Sequence, residues 1–84
     1  MKLIYIEWAD AHTQAGWTHK DNAEDWAENS DWFISEVGYL VKETPKYICL
    51  AAFIRPESKD FDLQYGDLHK IPKTWIRKRK TLTI

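Results

Sequence analysis

The strongest pattern in the chain is a pair of apolar runs, Trp32 to Lys42 and Tyr47 to Ile54, hinged on Thr44-Pro45-Lys46. In the first run Phe33, Val37, Tyr39 and Val41 recur at period two, with Trp32, Glu36, Gly38 and Lys42 on the other parity. This predicts a half-buried strand with the bulky set inward. The second run is apolar on both parities and rich in residues that suit a pleated surface, so it predicts a central strand with no solvent side. Before the hairpin, Lys2 to Trp8 alternates and predicts a short first strand. Residues 10–16 lose all period, and Gly16 lets the backbone turn ahead of Trp17. From Asp21 the period becomes helical: Ala23, Trp26, Ala27 and Ser30 stand at i, i+3, i+4 and i+7. Asp21 followed by Glu24 resembles a capping box, and a helix of about two turns needs docking through Trp26 to be stable.

After the hairpin, Arg55 to Asp60 is a polar loop. Phe61, Leu63 and Tyr65 alternate with Asp62 and Gln64, and pairing resumes from Leu68 to Ile71, so this stretch predicts one bent strand or two short ones with a bulge or turn at Gly66. Pro72 ends the ladder. Ile71 to Ile76 predicts one tight 3₁₀ turn, and Arg77 to Ile84 a closing strand with only its far end buried. Five strands with one helix after the first describe a mainly β (α+β) chain, a single domain over 1–84. The economical shape is a five-stranded antiparallel SH3-like or Sm-like barrel, because closure removes the exposed edges of so small a sheet. An open sheet with the helix across one face is the rival.

Composition adds two constraints. The 84 residues include five Trp, four Tyr and three Phe, more large rings than one small core uses, which points to an interface. The single Cys49 excludes an internal disulfide and reads as a buried core thiol. No apolar run reaches the ~20 residues of a membrane span, and MKLIYIEW meets an acid too early for a signal peptide, so a cytoplasmic protein is expected. The net charge of −1 conceals a gradient: residues 1–31 hold seven acids against two lysines, whereas residues 68–84 hold six bases and no acid.

Candidate chemistry is sparse. Asp10, His12, His19 and Asp21 match no compact metal-ligand spacing. Cys49 lies among Ile48, Leu50 and Phe53, far from the electropositive niche a reactive thiolate needs. Ser30, Ser35 and Ser58 have no local histidine, His69 reads as an idle surface residue, and the three glycines are isolated, so no phosphate loop is present. No enzyme activity, cofactor or metal is expected. The basic stretch with Trp75 inside it resembles a surface that contacts phosphates and stacks rings. Its charge also complements the acidic helix around Glu24, Asp25 and Glu28, which favours self-association as a homo-oligomer.

Four clusters, Trp8-x-Asp10-Ala11, Gly16-Trp17, Ser35-x-x-Gly38-Tyr39-Leu40-Val41 and Ile71-Pro72-Lys73-x-x-Ile76, together resemble a group of small uncharacterised proteins of phage and prophage genomes. The resemblance implies a compact β-rich accessory protein in the host cytoplasm, of a kind that serves host takeover or counter-defence. With the residue reading, it leads to a non-enzymatic binding protein that sequesters a host protein or a small phosphorylated, nucleotide-like ligand. Trp17, Trp32 and Trp75 are the expected stacking or interface rings, and Arg55, Lys73, Arg77 and Arg79 the expected phosphate or acid contacts. The alternative is a single-stranded nucleic-acid binder using Trp75 and the basic strand.

Overall fold

A computed structural model of the chain describes residues 1–11, 13–29 and 32–83. It contains β1 (Leu3–Ala9), α1 (Lys20–Asn29), β2 (Phe33–Glu43), β3 (Tyr47–Arg55), β4 (Gln64–Pro72), a 3₁₀ turn (Lys73–Trp75) and β5 (Ile76–Leu82). All strand pairs are antiparallel, in the order β4-β3-β2-β1-β5. Element types and order follow the hydrophobic pattern. The 3₁₀ turn stands where Pro72 ends the preceding ladder.

The sheet is open rather than a closed barrel: β4 and β5 are its two edges and no ladder joins them. It is nevertheless forced to curl. Pro72 pairs with Tyr47 at the hairpin end of the sheet, and Ile76 pairs with Trp8 at the far end. In a flat sheet those residues would stand about 19 Å apart sideways and roughly 30 Å apart lengthwise. Three residues join them, a span of at most about 14 Å. Only a sheet folded over its own inner face satisfies that tether.

The fold-over gathers Ile4, Ile6 and Trp8 of β1, Ile48 and Leu50 of β3 and Ile71 of β4 into one buried core, with Leu40 and Ile76 packed at its margin. The bend lies in β2 and β3. Residues 33–38 of β2 pair only with β1, residues 53–55 of β3 pair only with β4, and the two strands share a ladder only from Tyr39–Glu43 to Ile48–Ala51, with an irregularity between Leu40 and Lys42. Beyond Tyr39 and Ala51 the sheet forks into two leaves.

Several expectations are corrected by this bend. The inner parity of β2 is Ile34, Glu36 and Gly38, opposite Trp8, Ile6 and Ile4, so the predicted faces are exchanged: Val37 is 49% exposed and Gly38 is buried. Leu50 crosses so closely that a Cβ on Gly38 would stand 2.8 Å from its Cβ and 3.1 Å from the Ala51 carbonyl oxygen. The inside of the bend has no space for a bulky residue there. β3 is not hidden on both sides: Ile48, Leu50 and Ala51 are buried, whereas Tyr47 is half-buried and Ala52 and Phe53 are exposed. Cys49 is half-buried on the outer face between Lys42 and Lys70. Gly66 is not a bulge. It pairs with Phe53, whose ring fills the place of its missing side chain, and the unusual backbone is that of Asp67, at φ 52°. Phe61 and Leu63 precede β4, which starts only at Gln64. In β5 the register shift beside Trp8 puts Ile76 on the inner side and Leu82 on the outer; Ile84 lies outside the described residues.

The helix differs most from expectation. Its first turn closes on the His19 carbonyl, which accepts from the Ala23 amide, so Asp21 lies inside the first turn and is not the cap. No residue of α1 is buried, and the core takes nothing from it, so it does not cover the sheet. Ser30, the last member of its predicted apolar stripe, lies outside the described residues. No described helix is long and apolar enough to cross a membrane.

The close crossing at Gly38 gives a direct test. Elsewhere in a strand, Gly→Ala gains ~0.5–1 kcal/mol through the unfolded chain. Here the methyl group meets a Cβ and a carbonyl that cannot rotate away, and overpacking costs about 1–3 kcal/mol. Gly38→Ala is expected to lower the urea midpoint by that net amount with an unchanged slope. An equal or raised midpoint would show that β3 does not cross there.

Candidate functional site

Side chains complete what the missing β4–β5 ladder leaves open. At one end of the curl Glu43 of β2 accepts from both Arg79 Nη atoms, Nη2 at 2.8 Å, and holds Lys73 Nζ at 2.6 Å. The Lys73 amide also donates to the Lys46 carbonyl at 2.9 Å. One carboxylate thus ties the hairpin to the 3₁₀ turn and to the edge strand. The hydrogen bonds from Arg79, then those from Lys73, hold its carboxyl down at about 2, and the same contact raises the Arg79 guanidinium.

At the forked end Trp8 is the centre. Its indole Nε1 donates to Glu36 Oε1 at 2.8 Å, its ring meets His69 edge-on at 5.2 Å, and Trp75 stacks on it at 6.3 Å with 15° between planes. Glu36 also receives His69 Nδ1 at 2.9 Å, a bond that reaches from β2 to β4 across the fork. Between the leaves lies an open cavity of about 420 Å³ lined by Glu36, Gly38, Ala52, Asp67 and His69 among others. The inward Glu36 and the engaged His69 were missed in sequence. Once Ile4, Ile6 and Trp8 are known to point inward, the register places Glu36 beside them.

Trp32 and Trp75, two of the three predicted rings, come together. With Ala9, Asp10, Ala11 and Thr74 they line a mostly apolar cleft of about 370 Å³, and each remains about half exposed. The Asp10 amide donates to the Trp32 carbonyl at 2.8 Å and fixes the rim where β1 ends and β2 begins. Trp32 lies against Phe33 at 5.5 Å, and the Arg77 guanidinium sits 3.5 Å over the Phe33 ring, a cation–π contact of about 0.5–1 kcal/mol. Glu7 Oε1 orients that guanidinium through Nε at 3.1 Å and Nη2 at 3.0 Å. A hydrogen bond from Tyr5 and then the Arg77 contact lower the Glu7 carboxyl.

The other predicted residues are dispersed. Trp17 is fully exposed on the segment between β1 and α1, where it lines a second cavity of about 630 Å³ with His19, Asn22, Asp25 and Trp26. Arg55 stands at the end of β3 beside Gln64. Lys73 and Arg79 are held by Glu43 on the inner side. Among the described residues no group of His, Cys, Asp or Glu could hold a metal ion; His12, one of the four residues weighed for such a set, lies outside them. Comparison of the chain with protein-family models, curated proteins and solved structures returned no match.

The Glu43 cluster sets a pH dependence whose sign follows from linkage. Its folded pKa of about 2 lies below the ordinary 4.5, so the stabilisation is fully present above pH 4.5 and is lost as pH falls from 4.5 through 2. For a partly solvated cluster this amounts to about 1 kcal/mol. Urea unfolding is expected to show Glu43→Gln less stable by that amount at pH 6 and equal to the parent near pH 2. A gap constant with pH would refute the role given to the carboxylate.

Proposed function

We propose that the protein is a non-enzymatic binding protein that sequesters a small, planar, anionic ligand of the nucleotide class, as an accessory protein of the phage kind. The observation that carries this reading is the cleft between Trp32 and Trp75. Two half-exposed indoles in one apolar lining offer stacking to a flat ring, and a base stacked on an aromatic side chain gains about 1–3 kcal/mol. Arg77, aligned by Glu7 and seated on Phe33 next to Trp32, supplies a charge-assisted contact for a phosphate at the mouth. Because Asp10 lies in the same lining, the aromatic part of the ligand occupies the cleft and its anionic part the Arg77 side. Binding and release, with no bond made or broken, accounts for every group assigned.

A single-stranded nucleic-acid binder is less well supported, since Lys73 and Arg79, two of the bases expected to contact its phosphates, are held by Glu43. For the fold, the curled sheet with its edge strands joined by one 3₁₀ turn supports reading it as an open variant of an SH3-like or Sm-like barrel.

Quenching of tryptophan fluorescence by mono- and cyclic nucleotides is the measurement. Saturable binding is expected, weakened at least about tenfold by Trp32→Ala or Trp75→Ala and also weakened by Arg77→Ala. Binding of an oligonucleotide alone, with a steep salt dependence, would replace this reading by the nucleic-acid one.

A further inference from the structure

The outer face of the sheet carries an apolar row in which Leu68 is exposed, Tyr39, Leu3 and Leu82 are half-buried and Ala51 is buried among its neighbours. Leu68, Ala51, Tyr39, Leu3 and Leu82 stand side by side across all five strands, with Val37 and Phe53 beside them. Leu68 is 62% exposed and Phe53 56%. Cross-strand partners share a face, so Lys42, Lys70, Lys78, Lys80 and Arg55 surround that row, against Glu7 alone. The outer face is an apolar strip in a basic frame.

The helix has the complementary character. α1 carries Asp21, Glu24, Asp25 and Glu28 against Lys20, buries none of its residues, and follows the fully exposed Trp17. Ten residues are too few for a helix to hold in water without packing. The molecule is 61 Å long and 24 by 23 Å across, whereas the eleven residues of β2 cover at most about 36 Å.

We infer that the protein is a homodimer in which each copy lays its acidic arm, α1 with Trp17, across the basic-framed apolar row of the other. The inference rests on a surface separate from the Trp32–Trp75 cleft. An arm with its own helix and a receiving face on the same chain form a self-complementary pair, so a two-fold exchange uses both at once and closes. The apolar row and Trp17 form the centre of the contact, and the acids of α1 meet Lys42, Lys70, Lys78 and Lys80 at its rim. That arrangement makes association fast and sensitive to salt.

Sedimentation equilibrium of the full chain tests it. The parent is expected to be a dimer at micromolar concentration, weakening as salt is raised. The double reversals Glu24→Lys with Glu28→Lys, and Lys78→Glu with Lys80→Glu, are each expected to raise the dimer dissociation constant about tenfold or more. An equimolar mixture of the two is expected to recover association, because both of its contacts then pair opposite charges: the reversed arm meets the reversed face, and the unchanged arm meets the unchanged face. Leu68→Lys changes an exposed position and is expected to give a monomer whose β-sheet circular dichroism matches the parent. A parent that stays monomeric at ~100 µM, a dimer unmoved by both reversals, or a mixture no tighter than its components would overturn the inference.

Discussion

The structure depends on the shortness of the link from Pro72 to Ile76. Strands that lie at opposite edges of a five-stranded sheet, and at opposite ends of it, are joined by three residues that span at most about 14 Å. Everything else accommodates that tether. β2 bends at Gly38, where no side chain would fit; its ladder with β3 is short and irregular; and the core forms where Ile4, Ile6 and Trp8 meet Ile48, Leu50 and Ile71. Because backbone pairing does not complete the curl, side chains do. Glu43 gathers Arg79 and Lys73 at one end, and Trp8 gathers Trp75, Glu36 and His69 at the other.

That division explains what could be read from the sequence. Strand and helix positions follow from local periodicity, and the 3₁₀ turn follows from Pro72, since both depend on residues close in the chain. Which side of β2 faces inward does not. Val37, Tyr39 and Val41 look like a core stripe because they are apolar, yet the inner side belongs to Gly38 and Glu36. The small size of Gly38 and the pairing of Glu36 with Trp8 and His69 matter more there than hydrophobicity, and both are set by strands distant in sequence. The acidic helix was expected to dock on its own sheet by the same local logic, and among the described residues none of it joins the buried core.

The charge gradient changes meaning in the same way. Read along the chain, residues 68–84 form a purely basic segment. In the fold, Arg77 meets Glu7 of β1, while Arg79 and Lys73 meet Glu43 of β2. Acids earlier in the chain thus absorb a large part of the basic segment's charge. What remains on the outer face is a frame of lysines around an apolar strip, and what remains near Trp75 is an aromatic cleft, with the Arg77 guanidinium held by Glu7 over the Phe33 ring beside it. Of the candidate site, the ring types were legible in sequence; the company they keep was not.

The fork between β2 and β3 has a mechanical consequence. Past Tyr39 and Ala51 the two leaves no longer share backbone hydrogen bonds, and the Glu36–His69 contact spans the gap as a strut. The gap between the leaves is therefore bridged by side chains, Glu36 and Trp8 on one leaf and His69 on the other, while each leaf keeps its own ladder intact. Like a clothes-peg, the molecule keeps its compliance in the jaws and its stiffness in the arms, and the small shared ladder behind Gly38 serves as the spring.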